Sequence, residues 1–191
     1  MPVDVSPSQE LETLIARLDV IAPPPARDIP QPARWTTDDV APAMARQSLH
    51  SLLREAAYDV YPYFEKRQLR LLGHYPPITV LADRPVLLHA LRAILETAAD
   101  ASPPGGAVVL DAHGDGDRAV IDVTDDGGGF SADELRHIRS QRMDDARAVP
   151  GLANLRVARA VACLHGGDLK VYSAPGAGAI VRISGLIAAQ R

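Results

Sequence analysis

The chain has 191 residues, 20 basic against 24 acidic for a net charge of −4, and a single cysteine, Cys163. That length supports one domain plus an appendage, with a core that needs no disulfide or metal staple, and one cysteine excludes an internal disulfide framework. There is no basic stripe for a phosphate backbone, no clustered aromatic pair for stacking bases, no apolar run near ~18 residues and no basic-then-apolar leader, so the expectation is a cytoplasmic protein with neither nucleic acid nor membrane insertion.

Seven of the 16 prolines lie within residues 1–34, whereas all 14 glycines lie at Gly73 or later. Residues 6–21 read as a short amphipathic helix with Leu11, Leu14, Ile15 and Leu18 on one face. The run from Ala22 to Pro32 cannot be helix and reads as an extended, proline-rich linker. A boundary near Arg34 leaves residues 1–34 as helix and linker and 35–191 as the domain, with Trp35 expected to pack on the domain edge. A helical stretch follows Thr36-Thr37-Asp38-Asp39, carries Leu49, Leu52, Leu53, Ala56 and Ala57, and is expected to end near Tyr61-Pro62.

Residues 68–73 and 78–82 are short apolar runs, read as strands. Residues 84–101 give the clearest helix, since Val86, Leu87, Ala90, Leu91, Ile94, Leu95 and Ala98 form one apolar face, and Pro103-Pro104-Gly105-Gly106 stops it. Strands at 107–113 and 118–124 flank a Gly/Asp turn. A short helix at 131–140, a polar stretch at 141–149 and a helix from Leu152 to His165 follow, the last capped by Gly166-Gly167. Strands at 168–174 and 178–186 surround Pro175-Gly176. Interleaved helices with paired hairpins predict an α+β fold, a two-layer sandwich whose mixed, mainly antiparallel sheet is covered by helices on one face.

Two segments carry chemistry. In Val123-Thr124-Asp125-Asp126-Gly127-Gly128-Gly129-Phe130 a strand ends on an acid, and glycines follow that let the backbone turn. Such an Asp can accept from the exocyclic amine of adenine, and the same pattern also serves as an ordinary glycine-rich turn. In Gly151-Leu152-Ala153-Asn154-Leu155 a glycine opens a helix, whose free N–H groups suit an anion, or the glycine simply breaks the preceding loop.

Together with His165-Gly166-Gly167 and Pro175-Gly176-Ala177-Gly178, these segments resemble, in order and spacing, the ATP-binding domain of sensor histidine kinases (HATPase_c) in the GHKL, or Bergerat, ATPase superfamily. Asp83 and residues 84–106 resemble its N-box helix and the trailing Ser-Pro-x-Gly-Gly, and the resemblance covers about residues 36–187. It implies a site for ATP or ADP built from Asp125, Gly127, Gly129, Thr97, Gly151, Leu152 and Ala153, with Thr97 standing at the family's Mg²⁺ ligand.

The departures cluster on the phosphate side. Thr97 replaces the metal-binding Asn, Ala93 a polar residue that is acidic in hydrolytic members, and Asp100 a base that often faces the phosphates. At ~100° per residue the three positions share one helix stripe. Ala153 and Asn154 replace Gly and an apolar residue of the second glycine box, and Ala179 a frequent Thr. Mg²⁺ wants hard oxygen ligands, and a general base is typically worth ~10²–10⁴ in rate, so these changes weigh against phosphoryl transfer and against Mg²⁺.

None of the six histidines has a phosphoacceptor context, His50 being the nearest. Arg136, Arg139, Arg142 and Arg147 lie where the family's lid would be and read as a solvated face, and Cys163 reads as a small core residue. The resemblance therefore implies a domain of two-component signalling, degenerate at the phosphate end, that regulates or binds a response regulator or a histidine kinase. A functional ATP-binding kinase domain and a phosphotransferase-like adaptor are the alternatives.

Overall fold

The structure is a computed structural model that describes residues 19–20, 42–139 and 151–189. The described elements are β1 (Asp19–Val20), β2 (Ala45–Ser48), α1 (Leu49–Lys66), β3 (Arg70–His74), β4 (Thr79–Ala82), α2 (Arg84–Ala101), β5 (Ala107–Asp115), β6 (Arg118–Asp125), α3 (Ala132–Arg139), α4 (Leu152–Leu164), β7 (Asp168–Ser173) and β8 (Ala179–Ile187). Six strands form one sheet in the order β1-β3-β5-β6-β8-β7, and β2 pairs with β4 apart from it. The pair β3–β5 is parallel and all the others are antiparallel. The parallel pair needs a long crossover, supplied by β4 and α2. One main core lies between the helices and one sheet face. This is the expected α+β sandwich with its mixed, mainly antiparallel sheet.

Helix α2 is the central helix, packed between α1 and α4. Its Asp83 cap accepts from the Val86 N–H at 3.2 Å, and Leu87, Leu91, Ile94, Leu95 and Ala98 fill the core. Asp83 also ties two distant segments. Its second carboxyl oxygen accepts from the Ala43 N–H at 2.7 Å, and its own N–H donates to His165 Nε2 at 3.0 Å. His165 Nδ1 donates to the Val161 carbonyl at 2.7 Å, which fixes the tautomer with Nε2 free to accept. Beyond His165, the Gly166 N–H donates to Cys163 O and the Gly167 N–H to Ala162 O, the two bonds of a Schellman ending, with Gly166 at φ 76°.

Several expectations are corrected. Helix α1 starts at Leu49, after the β2 strand, and runs through Pro62 to Lys66. A proline inside a helix costs about 3 kcal/mol, and the next buried residue, Phe64, anchors the final turn strongly enough to hold it. Asp19 and Val20, expected to end a helix, form a strand on β3. Cys163 is exposed, because α4 is apolar on both sides and periodicity did not reveal which side faces the core. Residues 6–18, the 22–34 linker, Trp35, Arg142, Arg147 and the 141–149 stretch lie outside the described residues.

Replacing His165 with Ala leaves the Asp83 N–H buried without a partner and opens a cavity where α4 meets α2. The expected loss is about 2–4 kcal/mol in urea unfolding. A loss below about 0.5 kcal/mol, within the range of surface substitutions, would show that the tie is dispensable.

Candidate functional site

The residues singled out in the sequence fall into two groups at one end of α2. The first surrounds Asp125, the last residue of β6, whose side chain shares the helix-facing side of the sheet with Val123. Asp125 is 5% exposed and its Oδ1 accepts from the Gly127 N–H at 2.9 Å. Burial pushes its pKa up to about 6, against the opposing pull of the Gly127 and Ala179 N–H groups. A Cβ on Gly127 would meet the Ala101 carbonyl oxygen at 2.5 Å, which places this box against the last turn of α2.

Gly129, at φ 67°, sits so close to the β7–β8 hairpin that a Cβ would lie 2.1 Å from Ala174 O. The Gly176 N–H closes the joint by donating to Gly128 O at 2.7 Å, and the Phe130 N–H donates to Ser173 Oγ at 2.8 Å. Both Gly127 and Gly129 are thus required by contacts of the protein with itself. Their small size fixes the strand end on which Asp125 stands.

The second group gathers at Thr97, one turn before Ala101 and so about 6 Å along the helix from it. Gly151 opens α4 in the left-handed region at φ 77°, and a Cβ there would strike Thr97 Cγ2 at 2.5 Å. Thr97 Oγ1 donates to the Ala93 carbonyl at 2.8 Å and accepts from Asn154 Nδ2 at 3.2 Å. The hydroxyl proton is committed, one lone pair is taken, and the residue is 7% exposed. Leu152 is fully buried and offers only its backbone, while Ala153 is exposed.

Asp100 departs from the expected shared stripe. Its carboxylate pairs with Arg67, the C-cap of α1, and accepts from Tyr63 Oη of α1 at 2.6 Å, so it turns away from Thr97 and α4. Arg67 also donates to the Tyr63 hydroxyl at 2.7 Å and lies over its ring. Glu96, one residue before Thr97, is held above the usual carboxylate range, first by partial burial and then by the Asp100 charge. Sequence reasoning missed the roles of Tyr63 and Arg67; their four-residue spacing on a helix ending was the available signal.

A cavity of about 320 Å³ borders the same hairpin. Its walls include Thr124, Tyr172 and Ile180, which alternate with the core residues Val123, Val171 and Val181, so it opens on the sheet face away from the helices. Asp125 and Asp126 also line it, so the cavity reaches the strand end that carries the candidate acid. Among the described residues no group of three or more His, Cys, Asp or Glu side chains converges to hold a metal ion.

The model of the histidine kinase-, DNA gyrase B- and HSP90-like ATPase family matches residues 82–186, a segment that runs from the end of β4 through nearly all of β8 and holds both groups. The chain belongs to this family. The histidine-protein kinase/phosphatase MprB of Mycolicibacterium smegmatis is 38% identical over 96 residues, 48% of this chain and 20% of that protein. The curated relatives are much longer, and this chain spans between 12% and 25% of their length. A solved mycobacterial MprB kinase structure superposes with a TM-score of 0.65 at 22% identity, covering 78% of this chain and all of that one. Full-length ShkA in complex with AMPPNP gives 0.67 at 23% identity, over 80% of this chain and 33% of its own. These likenesses support the GHKL fold, and the family relationship places the chain with the histidine kinase ATPase domains of two-component sensors.

The raised pKa of Asp125 sets a test. An unfolded aspartate ionises near 4 and the folded one near 6, so the fold loses stability as pH rises between those values and carries the full penalty above them. Asp125→Asn is expected to stabilise the domain by about 1–3 kcal/mol at pH 8 and by almost nothing at pH 4. Denaturant curves at the two pH values read this directly, and a destabilised variant at pH 8 would contradict it.

Proposed function

We propose that this domain keeps the adenine end of a histidine-kinase nucleotide site, lacks a working Mg²⁺–triphosphate end, and serves two-component signalling as a protein–protein regulator that docks a response regulator or a histidine kinase. The observation that carries the reading is the state of Thr97. Its hydroxyl bonds Ala93 O and Asn154, and its methyl fills the space against Gly151. A threonine in that state does not suit Mg²⁺, which requires an oxygen free to ligate and room for several waters. The Asp100 carboxylate is engaged by Arg67 and Tyr63 and turned away from Thr97, so it offers no ligand there, and Ala93 has no side chain to act as a base. The residues present do not fit the metal.

Asp125 does fit an adenine. A buried carboxylate held at a strand end, with its second oxygen free of the Gly127 bond, suits an exocyclic amine. Since Asp125 takes up its proton near pH 6, adenine recognition weakens below that value. A kinase reading rests on the same Asp125 and glycine boxes but lacks the metal seat. The adaptor reading needs a phosphorylatable histidine, and His50 Nδ1 is engaged with the Tyr75 carbonyl at 2.8 Å, a structural tie between α1 and the β3–β4 loop.

Calorimetric titration of ADP and ATP, with and without Mg²⁺, separates these readings. Weak binding is expected, with ADP and ATP within about threefold of each other (~0.7 kcal/mol) and almost no Mg²⁺ effect. Strong Mg²⁺-dependent ATP binding that disappears in Thr97→Ala would overturn the proposal and establish a working kinase domain.

A further inference from the structure

Among the described residues, β7 ends the sheet and pairs with β8 alone. Every second residue of such an antiparallel edge strand turns its N–H and C=O outward, away from its one partner. A groove of about 270 Å³ runs along this edge. Its walls are β7 from Asp168 to Tyr172, with Ile138 and Arg139 of α3 and Arg159 of α4. Consecutive strand residues point to opposite faces. Leu169 and Val171 belong to the helix-facing core, so Lys170 and Tyr172 point the other way. A groove lined by all five β7 residues in succession therefore follows the backbone edge and neither face alone.

The rim of this groove is basic. Arg139 and Lys170 are exposed. Arg159 spans the Asp168 end, donating to Asp168 Oδ1 at 3.2 Å and to the Arg139 carbonyl at 3.4 Å. The one acid of the lining is thus matched by Arg159, which leaves Arg139 and Lys170 to set the sign of the groove. Ile138, Leu169 and Val171 are buried and give it an apolar inner wall. A strand laid here meets apolar surface on one of its faces and positive charge on the other. A second copy of β7 would bring Lys170 and Arg139 against the same charges, which disfavours self-pairing.

We propose that the β7 edge is a docking groove for an acidic, extended segment of a partner protein. The segment adds as a further strand beside β7, with its apolar side chains over Ile138, Leu169 and Val171 and its carboxylates matched to Lys170 and Arg139. Backbone pairing supplies the affinity and the side chains select the sequence. The inference rests on the protein-docking reading above and gives it a surface. Its test is separate, because no residue of the groove belongs to the Asp125 or Thr97 group, and the nucleotide titration leaves it untouched.

A short blocked peptide of alternating glutamate and valine probes the groove in the full chain, with amide hydrogen exchange read residue by residue by NMR. In the free protein, alternate amides from Asp168 to Ser173 are expected to exchange fast. The peptide is expected to slow those amides by about tenfold or more, with rates in β5 and β6 unchanged. Arg139→Glu with Lys170→Glu, both at exposed positions, is expected to weaken binding by about tenfold or more and to leave the melting temperature nearly unchanged. A lysine–valine peptide is expected not to bind. Nor is a glutamate–valine peptide N-methylated along its backbone, which keeps the side chains and loses the donors. Absence of binding, binding without protection in β7, or equal binding of either control peptide would overturn the proposal. Slow exchange of every β7 amide before peptide is added would overturn it as well. Such protection, if it rises with protein concentration, assigns the edge to a second copy, and if it does not, to another part of this chain.

Discussion

The contact of Thr97 with the first turn of α4 is the constraint around which the rest of the site is arranged. Gly151 has no Cβ because Thr97 Cγ2 occupies that space, and Asn154 reaches back to the same hydroxyl. The two helices are joined there by a filled van der Waals contact and a hydrogen bond. The bond to Ala93 O turns the hydroxyl proton back into α2, a geometry that threonine adopts readily inside a helix. Removing the contact requires an unpaired Asn154 amide and a gap beneath Gly151, so the closed seam is the state the local chemistry favours.

The Asp125 side depends on a different device. Asp125 is placed by β6, but the strand end is held by close backbone contacts, Gly129 on Ala174 and Gly178 on the Asp125 carbonyl, at separations no side chain tolerates. The hairpin between β7 and β8 therefore acts as a brace for the Asp125 turn. The His165–Asp83 tie acts at the opposite end of α2, so this helix is fixed at its cap and at its last turn. Held at both ends, α2 keeps the Asp125 group and the Thr97 group in register.

Much of this was legible in the residues. The apolar stripe of α2, the glycine boxes and the order of strands and helices follow from periodicity and turn chemistry, and the sandwich follows from them. The tertiary choices were not legible. Pro62 signals a helix end, yet the burial of Phe64 carries α1 past it. Asp100 shares a helix stripe with Thr97, yet Arg67 and Tyr63 draw it toward α1, and no local pattern fixes which neighbour a charged side chain selects. Cys163 sits on a helix apolar on two sides, where hydrophobicity alone does not choose the buried one. Two residues at Asp19–Val20 are too few for an alternation pattern, and their pairing with β3 is a long-range event.

The seam at Thr97 is tested most directly by rebuilding it. Thr97→Asn combined with Ala153→Gly and Asn154→Leu restores a longer oxygen ligand, removes the amide that holds the hydroxyl, and frees the first turn of α4. Calorimetry of this variant with an ATP analogue, with and without Mg²⁺, is expected to show Mg²⁺ tightening binding by about tenfold or more (~1.4 kcal/mol), where the unmodified chain shows almost no change. A rebuilt variant that folds, binds the analogue and remains indifferent to Mg²⁺ would contradict the claim that this contact is what closes the phosphate end.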